Sequence, residues 1–191
     1  MALTESTMLP LGTAAPDFAL PEPRTGETHA LGDLAHDAPA TLIMFVCNHC
    51  PYVEHVLDPL VDLANEYAGK GVAVVAINSN DVDAYPQDGP SAMARLATEK
   101  DFAFPFLLDE DQSVARAYRA ACTPDFFVFD RDRKLAYRGQ LDGSRPGNDQ
   151  PVTGRDLRAA LDAVLAGEAP TPDQRPSSGC NIKWKPGNAP R

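Results

Sequence analysis

Residues 40–51 read ATLIMFVCNHCP, an apolar run that ends in two cysteines separated by two residues and followed at once by proline. The near-continuous apolar run predicts a strand that is covered on both faces. After it, from Val53 to Ala68, apolar residues recur at the i, i+3, i+4, i+7 spacing of an amphipathic helix. The stretch therefore predicts a strand that delivers a C-x-x-C pair to the N-terminus of a helix, an arrangement that makes a thiol reactive.

Pro51 predicts where this helix begins. Proline is favoured at the first helical position because its missing N–H costs nothing there, so Cys50 is expected to be the N-cap, with Cys47 in the preceding loop. The Cys50 sulfur would then face unpaired N–H groups and the positive end of the helix dipole. Such surroundings lower a thiol pKa from about 8.5 to roughly 3.5–7.5. We expect Cys50 to have the lower pKa of the pair, and a protonated His49 would act in the same direction.

The pattern along the remaining chain predicts an α/β fold with a mixed central sheet flanked by helices. Residues 72–77 form a second apolar run, so the strand–helix–strand unit implies a parallel pair with a right-handed crossover. The other predicted elements are an N-terminal β-hairpin (17–20 and 28–31), helices at 91–101, 112–120 and 154–166, and a second hairpin (126–130 and 134–140).

Two segments have no regular period. Residues 78–90 form a loop about as long as irregular loops in compact domains become, so we expect it to be functional, with Tyr85 facing a substrate groove or packing over the core. Residues 167–191 contain Cys180, Ile182 and Trp184. We expect this C-terminal tail to pack on a domain formed by residues 1–166.

Composition predicts one acidic domain. The 191 residues suffice for one full core, and the net charge of −10 argues against a nucleic-acid partner. No apolar stretch approaches the roughly 20 residues that cross a bilayer, and the N-terminal MALTESTMLPLG lacks the apolar segment of a secretory signal. We therefore expect a cytoplasmic protein with no membrane partner. No nucleotide-binding motif occurs, so no cofactor is expected.

Three further stretches carry a resemblance to a known family. They are APDFAL (15–20), CTPDFFVFD (122–130) and SSGCNIKWKPGN (177–188). Together with the strand–C-x-x-C–helix unit, they resemble the thioredoxin fold in its peroxiredoxin-like, AhpC/TSA-related branch, over roughly residues 10–166. The resemblance implies that Pro124 is a cis-proline facing the cysteines. It also implies that the backbone at Thr123 offers a sheet edge to an extended substrate segment.

The chain departs from both parent motifs at the redox centre. The peroxiredoxin motif P-x-x-x-T-x-x-C would place Ile43 at its proline and Cys47 at its threonine, and its distal arginine would fall at Pro124. In the thioredoxin motif W-C-G-P-C, tryptophan precedes the pair, whereas here Val46 does. The resemblance therefore specifies the family more closely than the reaction.

Thiol–disulfide exchange is the predicted function. Cys47 and Cys50 would alternate between dithiol and disulfide, with His49 stabilising the thiolate and Thr123 and Pro124 shaping the substrate face. Stabilising the reduced pair raises its reduction potential, so His49 favours a more oxidising centre. The substrate would be a protein or small-molecule disulfide, and the electron donor a thioredoxin or glutathione system.

Two alternatives stay open. In a peroxidase, Cys50 would be oxidised to a sulfenic acid and resolved by Cys47, Cys122 or Cys180. In a copper or zinc carrier, the ligands would come from Cys47, Cys50 and two histidines, His49 and His55. The two remaining thiols each have a second interpretation that gives them no part in the reaction. Cys122 would be a small buried residue, and Cys180 would be an inert thiol beneath Trp184.

Overall fold

A computed structural model describes residues 3–190. Met1, Ala2 and Arg191 lie outside the described residues. They are the first two residues of the predicted domain 1–166, and of its N-terminal stretch that lacks a secretory signal, and the last residue of the predicted tail 167–191.

The chain forms ten strands and five α-helices within the described residues. The strands are β1 (Leu3–Glu5), β2 (Ala19–Pro21), β3 (Thr28–Ala30), β4 (Ala40–Phe45), β5 (Ala73–Asn78), β6 (Phe106–Leu108), β7 (Cys122–Thr123), β8 (Asp125–Asp130), β9 (Leu135–Gly139) and β10 (Ser178–Asn181). The helices are α1 (Leu31–Leu34), α2 (Pro51–Gly69), α3 (Pro90–Glu99), α4 (Ser113–Ala117) and α5 (Arg155–Leu165), and a 3₁₀ turn spans Pro86–Asp88.

The central sheet is mixed, as predicted. Its strand order is β6-β5-β4-β8-β9, in which β4 is parallel to β5 and antiparallel to β8. All six residues of β4 are buried, which explains why its sequence is almost continuously apolar. The hairpins β2–β3 and β8–β9 are both antiparallel, so both predicted hairpins are confirmed.

Side chains of β4 alternate between two apolar layers. Leu42 and Met44 pack in the layer that contains buried residues of α2, α3 and α5. Ile43 and Phe45 pack in the opposite layer, with buried residues of α1, α4 and the N-terminal hairpin. This period of two is the geometry of a strand covered on both faces, and it places the end of β4 and the start of α2 at one edge of the core.

Short elements are the ones that the sequence pattern missed. They are the four-residue helix α1 and the strands β1, β6, β7 and β10, of two to four residues each. The sequence of β10 is SGCN, which lacks the β-branched and aromatic residues typical of strands. Helix α4 is shorter than the predicted 112–120, because Arg119 has a left-handed backbone (φ 50°) that a helix does not accommodate.

The C-terminal tail contributes to a second sheet. Its order is β1-β10-β7, with β10 antiparallel to both neighbours. Farther along the tail, Ile182 is buried and Trp184 packs against the layer that contains Ile43 and Phe45. Among residues 3–190, no helix has the length and apolar character needed to cross a membrane.

Candidate active site

The two cysteines lie where β4 gives way to α2. Helix α2 begins at Pro51, and Cys50 is its N-cap residue with an extended backbone (φ −83°, ψ 119°). Cys47 lies in the connecting loop, with 2% of its surface exposed, whereas Cys50 has 0%. Both are free thiols. Both sulfurs are therefore enclosed, with almost no surface exposed.

Thr123 contacts both thiols. Its Oγ1 lies 3.4 Å from the Cys47 sulfur, and its carbonyl oxygen lies 3.2 Å from the Cys50 sulfur, from which it accepts a hydrogen bond while Cys50 is protonated. The peptide bond between Thr123 and Pro124 is cis. The structure thus brings together Cys47, Cys50 and Thr123 of the predicted site, with Pro124 adjoining them.

The two thiols have opposite pKa shifts. The pKa of Cys50 is lowered to about 5, chiefly by a hydrogen bond from the Cys47 thiol, and a further bond from Cys180 acts in the same direction against the effect of burial. The pKa of Cys47 is raised by the same bond to Cys50, by burial and by the negative charge of Asp88. The pair therefore holds one proton, on Cys47, and the thiolate lies on Cys50.

The direction of the Cys50 shift agrees with the expectation from its N-cap position, but the largest contributor is different. The cause expected from the sequence is the helix terminus, which acts through the first turn of α2. The S–H group of Cys47 contributes more to the low pKa of Cys50. A hydrogen bond donated to the charged form always lowers the pKa of an acid.

Asp88 organises the loop between the cysteines. Its Oδ1 accepts hydrogen bonds from the backbone N–H groups of Asn48 at 2.8 Å and of His49 at 3.2 Å. Its Oδ2 lies 2.5 Å from Nδ1 of His49 and accepts a bond from Asn80 at 2.8 Å. The ring of His49 also stacks on Tyr85, with 5.3 Å between ring centroids. The 78–90 loop therefore positions His49, and Tyr85 packs on that histidine.

Asp88 is a site residue that the sequence analysis missed. It is fully buried although it is a carboxylate, and such groups are buried only when their oxygens are bonded. The only local signal was its place in a long loop expected to be functional. Its hydrogen bonds to the Cys47–Cys50 loop join residues about 40 positions apart in the chain. Patterns among neighbouring residues do not predict contacts over such a separation.

The potential metal ligands differ from the predicted set. Donor atoms of Cys47, His49 and Asp88 lie within 4.8 Å of one another. Cys50 is not part of that group, and His55 is engaged elsewhere, with its Nε2 2.7 Å from the Ser144 hydroxyl. His55 therefore lies outside this group of donors, because α2 carries its side chain toward Ser144.

Cys180 is the third thiol beside Cys50. In the pairing of β10 with β7, Cys180 lies opposite Thr123, whose carbonyl oxygen contacts the Cys50 sulfur, and the free Cys180 thiol lowers the pKa of Cys50 as a hydrogen-bond donor. Burial raises the pKa of Cys180 to about 12. Cys180 packs in the same apolar layer as Cys47 and Cys50, whereas Trp184 packs in the opposite layer. The expected position of Cys180 beneath Trp184 is therefore wrong, whereas its part in the reaction stays a prediction.

Cys122 lies apart from this cluster of thiols. Its sulfur is 3.6 Å from the carbonyl oxygen of Pro124. Burial and the nearby charge of Asp125 raise its pKa well above the usual range. Asp125 in turn forms a buried ion pair with Arg138 at 3.1 Å. These surroundings are those of a small buried residue, which was one of the two interpretations of Cys122.

The sheet edge at Thr123 is occupied by the chain itself. The expectation was that this edge is free for an extended substrate, but β10 pairs with β7 there and β1 covers the other side of β10. The approach is close at Gly179, where an added Cβ would collide with the carbonyl oxygen of Thr123. The expectation of a free edge is corrected, because a tail segment with no strand signal fills it.

Comparisons with known proteins agree with this architecture. The model of the AhpC/TSA family matches residues 11–138. A crystal structure of an uncharacterized conserved protein from Geobacillus kaustophilus is 57% identical, covers 98% of each chain and superposes with a TM-score of 0.95. A hypothetical protein from Sinorhizobium meliloti 1021 is 49% identical, with 96% of this chain and 100% of that chain covered and a TM-score of 0.93.

Among curated proteins, the chain is similar to the thiol-disulfide oxidoreductase ResA of Geobacillus kaustophilus (strain HTA426). The two are 25% identical over 132 residues, which cover 69% of this chain and 70% of the relative. The mixed sheet flanked by helices is the architecture of the thioredoxin fold, and it is shared with solved thioredoxin domains.

Proposed function

The chain belongs to the AhpC/TSA family and has the thioredoxin fold, and from that premise we propose that it is a thiol–disulfide oxidoreductase whose redox centre is Cys47–Cys50. The similarity to a protein named as a thiol-disulfide oxidoreductase supports this reaction class. The observation that carries the proposal is the pair of opposite pKa shifts, with a thiolate on Cys50 and its proton donor on Cys47.

Exchange begins with Cys50. Its thiolate attacks one sulfur of a substrate disulfide, so that a bond forms between Cys50 and that sulfur while the substrate S–S bond breaks. The other substrate sulfur leaves as a thiolate. At this point Cys50 no longer carries a charge, and the main cause of the raised pKa of Cys47 is removed.

Cys47 completes the reaction. After losing its proton, it attacks the Cys50 sulfur, forms the Cys47–Cys50 bond and releases the second substrate thiol. One substrate disulfide becomes two thiols, and the protein dithiol becomes a disulfide. His49, which Asp88 holds within the same cluster, is the group that we assign to accept the Cys47 proton.

The proposed partners are a disulfide substrate and a thiol donor. The substrate is a protein or small-molecule disulfide, and a thioredoxin or glutathione system returns the centre to its dithiol form. Because both sulfurs are enclosed, we expect a small disulfide to react faster than an extended peptide, which would need the edge that β10 occupies.

The test is a redox titration in glutathione buffers, followed by thiol trapping and peptide mapping. We expect one two-electron transition confined to Cys47 and Cys50, absent in Cys50→Ser and retained in Cys122→Ser. If the wild-type pair never closes into a disulfide, the proposal is wrong. Repeating the assay with hydrogen peroxide tests the peroxidase alternative, in which peroxide would be consumed at a rate that depends on Cys50.

One observation favours a metal carrier as a second candidate. The sulfur, nitrogen and oxygen donors of Cys47, His49 and Asp88 are ligands that zinc accepts. Against it, both Asp88 oxygens already accept bonds from the chain. Stoichiometric zinc or copper that survives dialysis, and is lost in His49→Ala, would support this candidate over exchange.

A further inference from the structure

The C-terminal strand β10 lies in the position that an extended substrate would take. It pairs with β7 so that Cys180 is opposite Thr123, the residue that contacts both active-site sulfurs. We propose that β10 is an internal substrate strand, which presents Cys180 to Cys50 so that the redox centre has three cysteines and passes through a Cys50–Cys180 disulfide. This inference rests on the exchange reaction proposed above.

The tail is held on both sides of Cys180. On the N-terminal side, the Ser177 hydroxyl donates to the carbonyl oxygen of Gly139 at 2.8 Å, and Arg145 donates to the Ser178 hydroxyl at 2.7 Å. On the C-terminal side, the backbone N–H of Lys183 donates to Asn80 at 2.9 Å. These bonds fix the register of β10, so Cys180 is positioned by the fold and not by chance collision of a loose tail.

Gly179 allows the close approach. The backbone of this residue lies so near the Thr123 carbonyl that any side chain would collide with it. Glycine is typical of places where two backbones come unusually close. Cys180 itself is buried, with 4% of its surface exposed, and it lies opposite Thr123, whose carbonyl oxygen is 3.2 Å from the Cys50 sulfur.

The steps balance without a further oxidant. The Cys50 thiolate attacks a disulfide such as oxidised glutathione, forms a mixed disulfide with one glutathione and releases the other as a thiolate. Cys180 gives its proton to that departing glutathione thiolate and attacks the Cys50 sulfur, so that the Cys50–Cys180 bond forms and the second glutathione leaves as a thiolate. Cys47 then attacks Cys50, which yields Cys47–Cys50, and the Cys47 proton passes to the Cys180 sulfur that leaves.

The test compares two double variants with the same number of cysteines. In Cys47→Ser/Cys122→Ser only Cys50 and Cys180 remain, so any intramolecular disulfide joins them. In the matched control, Cys47→Ser/Cys180→Ser, only Cys50 and Cys122 remain. After oxidised glutathione is added, we expect the first variant to release glutathione and form an internal disulfide, seen by intact mass and peptide mapping. The control should stay glutathionylated at Cys50.

The outcomes separate this inference from the proposed function. If wild type forms Cys47–Cys50 but the first variant stays glutathionylated like its control, the three-thiol centre is wrong and the exchange proposal stands. If wild type forms no Cys47–Cys50 bond and glutathione never adds to Cys50, both fail. Circular dichroism checks that each variant folds. Should the first variant not fold, the Cys50–Cys180 disulfide is sought in wild type quenched early in the reaction, and its absence there contradicts the inference.

Discussion

The low pKa of Cys50 depends chiefly on a hydrogen bond from Cys47, and removing that donor is a direct test of the site. The pKa of Cys50 is about 5, against about 8.5 for an ordinary thiol. The pKa values of the other three thiols are raised. We therefore expect reduced wild-type protein to carry one thiolate per chain at neutral pH.

The size of the effect follows from the bond that is lost. A hydrogen bond to a charged group contributes about 1.5–3 kcal/mol, and one pKa unit corresponds to about 1.4 kcal/mol. Cys47→Ala should therefore raise the Cys50 pKa by about 1–2 units, to roughly 6–7. Cys47→Ser should cause a smaller rise, because serine keeps an O–H donor at that position.

The measurement is an acid titration of the thiolate absorbance in the ultraviolet, which needs no reagent to reach the enclosed sulfur. Cys50→Ser is the control and should remove the transition. An unchanged midpoint in Cys47→Ala would refute the reasoning, since it would assign the stabilisation to the other groups around Cys50, Cys180 and the start of α2 among them. A wild-type protein with no thiolate below neutral pH would refute the low pKa itself.

The same shift has a consequence for stability. Because the folded-state pKa of Cys50 lies below its unfolded value, the thiolate stabilises the fold above the unfolded pKa, and this contribution is lost as the pH falls through about 5. Urea unfolding of the reduced protein at several pH values should show this decline. In Cys50→Ser, which has no titrating thiol at this position, stability should decline less as the pH falls. An equal decline in both proteins would contradict the assignment of this effect to Cys50.

Three further substitutions test other contacts of the site and its support. Gly179→Ala should destabilise the pairing of β10 by about 1–3 kcal/mol, because its methyl group collides with the backbone of Thr123. Faster alkylation of the thiols should report this change. The control Gly143→Ala, whose methyl group meets nothing within 4 Å, should leave the alkylation rate unchanged. Asp88→Asn keeps an oxygen for the loop amides but removes a charge that raises the pKa of Cys47, so that pKa should fall in a thiol titration. Arg138→Leu should cost about 3–5 kcal/mol in urea unfolding, because it leaves Asp125 buried without its partner.

Each of these expectations has an opposing result. Equal alkylation rates in the two glycine variants would mean that β10 does not control access to the thiols. A Cys47 pKa that rises in Asp88→Asn would contradict the charge assignment. A loss below about 1 kcal/mol in Arg138→Leu would mean that Asp125 is protonated or solvated in the fold.

Part of the site follows from neighbours in sequence. The apolar run 40–46 predicted a strand covered on both faces, and β4 is buried along its whole length. Pro51 predicted the first residue of α2, and it is the first residue. These features depend on side-chain periodicity and on backbone hydrogen bonds within one turn, so a local pattern contains the information.

Other parts of the site depend on contacts between distant segments. Asp88 reaches the cysteine loop from a turn in the 78–90 segment, and Cys180 reaches Cys50 from the tail. Neither residue has a local pattern that names its partner. The large pKa difference between Cys47 and Cys50 arises from these neighbours together with burial.

The sequence by itself determined the α/β fold and the placement of Cys50 at the start of a helix, because both follow from the spacing of apolar residues and from one proline. Tertiary structure alone decided that the edge at Thr123 is filled and that Cys180, not Cys122, lies beside Cys50. The physical reason is strand register. The backbone pairing of β10 with β7 and the close approach at Gly179 set the register of this four-residue strand. That register decides which of its side chains lies beside the Cys50 sulfur.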